Sequence, residues 1–152
     1  MKPIDLLRQG APGLAHRIEA AGGAGSRRVA AAVAQAAISR TGLSHPVIDQ
    51  ALEQLRQSPA PDAELQARVQ AVAEQLDDEY FALKEPLEER EDAGKTDPEV
   101  LLAFSRARAA SAVAAALGDD AMEAAASAAY EAFSGIDDSE YLTRAVETAL
   151  AT

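Results

Sequence analysis

Apolar positions recur at steps of three and four over most of this chain, and no stretch alternates apolar and polar residues for long. The first spacing is typical of one face of an α-helix, and the missing alternation speaks against β-strands. We therefore predict an all-α protein, a compact bundle of about seven helices joined by short loops. A HEAT-like stack of helix pairs is the alternative, although no convincing repeat of helical-pair length occurs in the sequence.

Glycine and proline mark the predicted boundaries in the first half of the chain. Pro3 favours a short first helix, and a second helix is predicted from about Leu14 to Ala21. The glycine cluster at 22–25 predicts a flexible turn. Ser26 then predicts the N-cap of the third helix, and Gly42 its end. A fourth helix follows.

The fifth predicted helix is the longest, and Asp62 caps it. Its apolar stripe continues to Leu87, but Pro86 lies within it. Proline removes a backbone donor and crowds the carbonyl four residues earlier, so we predict a kink or break near residues 84–86. Aspartates mark the starts of the later helices: Asp97, Asp119 or Asp120, and Asp137 or Asp138.

The segment Gln57-Ser58-Pro59-Ala60-Pro61 is the clearest internal boundary, and the charge balance also changes there. Each side of it is too short to fold comfortably alone. We therefore predict one domain over residues 1–152, with an internal loop boundary at 57–62.

Charge is distributed unevenly along the chain. Residues 1–60 contain seven Lys/Arg and four Asp/Glu, a net charge of +3, whereas residues 61–152 contain seven and twenty-one, a net charge of −14. A negative field repels nucleic acid and anionic lipid and favours a basic protein partner. It also helps to keep an alanine-rich protein in solution.

The composition also bears on the compartment. The chain has no cysteine, which excludes disulfides, thiolate metal sites and a cysteine nucleophile and fits a cytoplasmic protein. The first residues lack the apolar run of a signal peptide. No apolar stretch approaches the ~20 residues that span a bilayer, so we predict no membrane association.

Glu85, Glu88 and Glu91 are three residues apart and share one helical face. Such carboxylates hold magnesium in all-α nucleotide pyrophosphohydrolases, which use Glu-x-x-Glu followed by Glu-x-x-Asp. Here the Glu-x-x-Asp element, Glu74 to Asp77, comes first, so a solvated acidic face is the better interpretation. We predict no catalytic residue, metal or cofactor; a magnesium-dependent or small-molecule enzyme of this kind remains an alternative.

Other chemistry-bearing residues have structural explanations. His16 and His45 lie in no metal-ligand pattern, and capping or exposure explains His45. The glycine cluster before Arg27 and Arg28 has features of an anion-binding loop, but no strand precedes it, so a turn between helices is the better interpretation. Arg106 and Arg108 lie among small residues, and we expect one of them to be half-buried and paired with an acid of a neighbouring helix.

The C-terminal third contains Phe104-Ser105-Arg106-Ala107-Arg108-Ala109-Ala110, then Gly118-Asp119-Asp120, then Ala129-Tyr130-Glu131-Ala132-Phe133. Over about fifty residues this resembles small acidic helical proteins of actinobacterial type, some of which are immunity or regulatory proteins that act beside toxins. The resemblance implies a protein-binding role and carries over no functional residue.

We therefore predict a non-catalytic protein that binds a partner, favouring a basic one, through an acidic helical face. A self-associating scaffold is the alternative, in which the basic N-terminal third meets the acidic remainder of another subunit of a homo-oligomer. The predicted partner-binding residues are Glu85, Glu88, Glu89, Glu91 and Asp92, with Asp77, Asp78 and Tyr80 as a second group.

Overall fold

The computed structural model describes residues 2–88 and 97–151, and the predicted all-α class is confirmed for them. This part of the chain contains eight helices and no strand, close to the predicted number. None of its helices is both long enough and apolar enough to cross a membrane. The helices are α1 Pro3–Gly10, α2 Pro12–Ala20, α3 Gly22–Thr41, α4 Pro46–Gln57, α5 Ala63–Glu88, α6 Pro98–Ala116, α7 Ala121–Ile136 and α8 Ser139–Ala151.

Capping residues fix several helix ends where the sequence predicts them. Gly42 ends α3 in the left-handed region, with φ of 68°. His45 Nδ1 accepts a hydrogen bond from the Val47 amide at the start of α4, which confirms its capping role. Four aspartate side chains accept backbone N–H groups at the starts of α5 to α8: Asp62, Asp97, Asp120 and Asp138.

Three helices, α3, α6 and α7, pack against one another and form the centre of the bundle. The others surround them: α5 packs on α6, α8 on α3, and α1 on α7. The helix α4 contacts α3, α5 and α6, and α2 contacts α1, α3, α7 and α8. The helix α5 is therefore peripheral, because α4 and α6 are its only neighbours among the described helices.

The core is built mostly from methyl groups. Of the 37 buried apolar residues in the described part, 20 are alanines. Small side chains let helix axes approach closely, and Gly135 of α7 shows how closely. A Cβ atom added there would lie 2.8 Å from Arg108 Cβ and 3.3 Å from the Ser105 carbonyl oxygen on α6.

The predicted flexible turn at residues 22–25 is wrong. Only Ala21 lies between α2 and α3, and α3 begins at Gly22, which has a φ of 74°. Ser26 is therefore not an N-cap; it lies inside α3 and is 1% exposed. Gly25 is buried, and a Cβ atom there would lie 3.4 Å from Leu150 Cδ2 of α8. Packing of this turn against α8 outweighs the low helix propensity of glycine.

Of the predicted kink or break near residues 84–86, the break is absent, because α5 continues through Pro86 to Glu88. Proline removes one intrahelical hydrogen bond, and here it does so in the last turn of the helix. Leu87 and Glu88 follow Pro86 within the described part of this helix.

Hydrogen bonds hold the segment between α4 and α5 against α4 and against the end of α6. Gln54 of α4 donates a hydrogen bond to Asp62 Oδ2 at 2.7 Å. The Asp62 amide donates to the Leu117 carbonyl at 3.1 Å, just after α6. Asp62 thereby joins the start of α5 to the end of α6 and fixes the register of that helix pair.

Candidate functional site

The helices α5 and α6 form an antiparallel hairpin whose contacts can be followed along both helices. Near its base, Gln66 Nε2 donates to the Ala114 carbonyl at 2.9 Å. Further along, Arg108 pairs with Asp77, and the ring centroids of Tyr80 and Phe104 lie 5.3 Å apart. We call residues 78–87 and 97–104, which lie beyond the Arg108 pair, the hairpin tip.

At the base of the hairpin tip, the ion pairs of Arg108 connect three helices. The Arg108 guanidinium donates to both carboxylate oxygens of Asp77, at 2.8 and 2.9 Å, and to Glu131 of α7 at 2.7 Å. Burial raises the pKa of Glu131 above its ordinary value, and the attraction of Arg108 only partly opposes this. One half-buried cation thus joins α5, α6 and α7.

The helix α7 ends beside this cluster and does not extend along the hairpin tip. Ser105 Oγ of α6 donates to the Gly135 carbonyl in the last turn of α7 at 2.7 Å. Because Arg108 pairs with Glu131 and Ser105 with Gly135, α6 and α7 run antiparallel. From Ser105 towards Pro98, α6 therefore extends past the end of α7.

Apolar side chains are exposed at the hairpin tip. Four large apolar residues in the described part are exposed, and three of them lie here: Phe81, Leu101 and Leu102, at 50%, 51% and 41%. Phe81 stacks at 5.1 Å on Tyr80, which is half-buried. A concentration of exposed apolar side chains is typical of a surface that contacts another protein.

The same surface is acidic. The hairpin tip contains five acidic residues and one basic residue, Lys84. The Lys84 ammonium lies 5.6 Å from the centre of the Tyr80 ring. The acids are Asp78, Glu79, Glu85, Asp97 and Glu99. Exposed apolar residues with charged neighbours are the usual composition of a protein interface, which has an apolar centre and a polar rim.

The predicted partner-binding residues fall into different environments. Asp78 and Glu85 are exposed on the hairpin tip, whereas Asp77 lies at its base with its carboxylate bound to Arg108. Tyr80 lies between Phe81 and Phe104. Glu88 is the last residue of α5. Three further predicted residues lie outside the described residues: Glu89, Glu91 and Asp92.

Sequence reasoning missed the exposed leucines of α6. Leu101 and Leu102 are consecutive, and consecutive residues on a helix point about 100° apart. A helix with a single buried face cannot cover both, and Val100 beside them is 5% exposed. Three consecutive apolar residues therefore indicate that at least one of them is exposed. The sequence does not show which of the three side chains faces water.

The expectation that one of the two arginines of α6 is half-buried and paired is confirmed for Arg108. Arg27, the residue considered for an anion-binding loop, instead donates to the carbonyls of Gly118, at 2.5 Å, and Asp119. Arg27 thus binds the connection between α6 and α7. The described residues contain no cluster of histidine and carboxylate side chains that could hold a metal ion.

No known family model, no curated protein and no solved structure matches this chain.

Proposed function

We propose that this chain binds a partner protein through the hairpin tip, and that the partner presents an apolar face with basic residues around it. The observation that carries the proposal is the concentration of exposed Phe81, Leu101 and Leu102 on one acidic end of the molecule. Apolar contact supplies most of the affinity of such interfaces, and charge complementarity mainly raises the association rate and the specificity.

Two features support a preformed surface. The helix α5 is held on α6 at the base of the tip by Arg108, and the ring of Tyr80 packs between Phe81 and Phe104. A surface that is ordered before binding loses less conformational entropy on association, which favours affinity.

The first test is to capture partners with the purified chain as bait. Capture is compared at about 0.01 M and about 0.15 M ionic strength, between which the screening length falls from ~30 to ~8 Å. Two tip variants are used, Phe81→Ser and the double reversal Asp78→Lys with Glu85→Lys. We expect both to reduce recovery of the specific partner about ten-fold or more.

Matched controls separate the tip from the rest of the surface. Met122→Ser changes the one exposed large apolar side chain of the described part that lies on α7. The reversal Glu64→Lys with Asp119→Lys alters the net charge equally, at exposed acids away from the tip. Equal recovery with tip and control variants contradicts the proposal. A doubled mass in light scattering that Phe81→Ser abolishes identifies the partner as a second copy of the chain.

A further inference from the structure

A concave surface lies away from the hairpin tip, between α3, α4 and α8. It consists of two adjoining cavities of about 450 and about 520 Å³, both open to solvent. The two share Ala32 and Gln35 of α3 and Ala149 of α8. Alanines of α3 and α8 line part of this surface beside the longer side chains of Gln35, Tyr141 and Arg144, and the helices leave a groove between them.

The walls of this groove are apolar, and its charges have one sign. Leu52 and Leu55 of α4 form one wall. Among the described residues, the charged side chains that line the two cavities are those of Arg28, Arg56 and Arg144, and none is acidic. This is the reverse of the whole chain, which has 25 acidic and 14 basic residues. The groove therefore suits an anion with an apolar part.

The arginines are available to a ligand. The side chain of Arg28 is exposed and makes no ion pair or hydrogen bond to any described residue. Arg56 pairs with Glu53 at 3.2 Å, and both side chains are more than half exposed. Exposed ion pairs of this type contribute little stability, so a ligand anion can compete for the guanidinium.

Gln35 adds a polar group where the two cavities meet. Its Oε1 atom is buried and has no hydrogen-bond partner in the part of the chain that the structure describes, and its Nε2 atom lies 3.5 Å from Ser39 Oγ. Turning the amide over lets Oε1 accept from Ser39 and leaves Nε2 without a partner. In either orientation one buried polar atom of Gln35 lacks a hydrogen-bond partner among the described residues, which costs free energy of folding.

We propose that this groove binds an amphipathic carboxylate, an unbranched alkyl chain with one carboxylate end. The alkyl chain lies along Ala32, Leu52 and Leu55, and Arg28 and Arg56 hold the carboxylate. Guanidinium groups bind carboxylates in a two-pronged geometry, and open apolar grooves of this size are typical of small-molecule sites. The proposal is independent of the partner-binding role of the hairpin tip.

The test is isothermal titration calorimetry with sodium decanoate, sodium dodecanoate, decylammonium and decanol, each kept below the concentration at which it aggregates. We expect both carboxylates to bind with one site. Each added methylene should raise the affinity about two- to four-fold, because more apolar surface leaves water. Decylammonium and decanol should bind at least ten-fold more weakly.

Two variants in the groove and two controls locate the site. Arg28→Ala should weaken dodecanoate binding about ten-fold, and Ala32→Leu, which fills the groove without changing charge, should abolish it. Arg68→Ala, at an exposed arginine of α5 away from the groove, and Phe81→Ser at the hairpin tip should leave binding unchanged. Thermal unfolding of each variant confirms that it is folded.

Equal affinity for the carboxylate, the ammonium ion and the alcohol overturns the proposal, since it shows apolar adsorption alone. Absence of binding, or loss of binding in Phe81→Ser but not in Ala32→Leu, overturns it as well. Binding of an acidic peptide without binding of either alkyl carboxylate also overturns it and assigns the groove to a protein partner.

Discussion

At the scale of single residues, the ion pairs of Arg108 show that some acidic side chains of the chain have a structural role. The sequence predicts a paired arginine here, because two arginines among alanines cannot both reach water easily. It does not predict the partners, since Asp77 and Glu131 lie 31 and 23 residues away and meet Arg108 only in the folded bundle. Asp77 thus forms an ion pair within the fold, although the sequence predicts that Asp77 and its acidic neighbours contact a partner.

Glu131 gives a pH prediction with a definite sign. Its pKa is raised in the folded state, chiefly by burial, so the folded state holds this proton more tightly than the unfolded state. The contribution of Glu131 to stability is therefore largest below the unfolded pKa, near 4.5, and decreases as pH rises through the folded pKa. Glu131→Gln removes this titration.

We expect Glu131→Gln to lower the free energy of unfolding at pH 4. At pH 7 the same substitution should leave the free energy of unfolding nearly unchanged or raise it. The measurement is urea denaturation of both proteins at a series of pH values from about 4 to 7. The stability difference between them isolates Glu131 from the other carboxylates. A difference that is constant over this range contradicts a raised pKa.

At the scale of helices, boundaries set by local chemistry are predictable, and boundaries set by packing are not. Asp62 and Asp97 begin helices because their side chains accept the first free amides, which depends only on nearby residues. Residues 22–25 are helical because Gly25 lies against α8, which is more than a hundred residues later in the sequence. Local propensity alone therefore predicts a turn there.

Close contact between α6 and α7 makes Gly135 sensitive to substitution. Alanine is normally the better helix residue, by about 1 kcal/mol. At Gly135, however, its Cβ would lie 2.8 Å from Arg108 Cβ, an atom attached directly to the α6 backbone. We expect Gly135→Ala to reduce the free energy of unfolding by about 1–3 kcal/mol, as overpacked core substitutions do.

Gly23→Ala is the matched control for Gly135→Ala. A Cβ at Gly23 meets nothing within 4 Å, so this variant should be stabilising by about 0.4–1 kcal/mol. Thermal or urea unfolding of both variants tests the pair. Equal effects of the two substitutions would mean that α6 and α7 can separate without cost.

At the scale of the whole molecule, the sequence predicts the sign of the surface charge but not its arrangement. The acidic excess after residue 60 is evident from composition, whereas the exposed apolar side chains of the hairpin tip depend on where α7 ends beside α6. Likewise, Arg28 and Arg56 meet in one groove only because α3 and α4 are neighbours. The sequence therefore predicts which charged residues the chain has. It does not predict which of them lie side by side on the folded surface.

A net charge of −11 implies mutual repulsion in the folded state, which salt screens. We expect the unfolding temperature to rise between about 0.01 and about 0.5 M sodium chloride, with most of the rise at low concentration. A variant with Asp78→Asn and Glu85→Gln, both at exposed acids, should show a smaller rise. A falling unfolding temperature would mean that ion pairs such as that of Arg108 outweigh the repulsion.

The alanine-rich core has a consequence for how this chain tolerates mutation. An alanine at the contact of two helices sets the distance between their axes, and any larger residue must move a whole helix rather than one side chain. Buried leucines, in contrast, have isomers of equal volume. In an evolving lineage of this protein, the positions that tolerate the least change are therefore the twenty buried alanines of the described part.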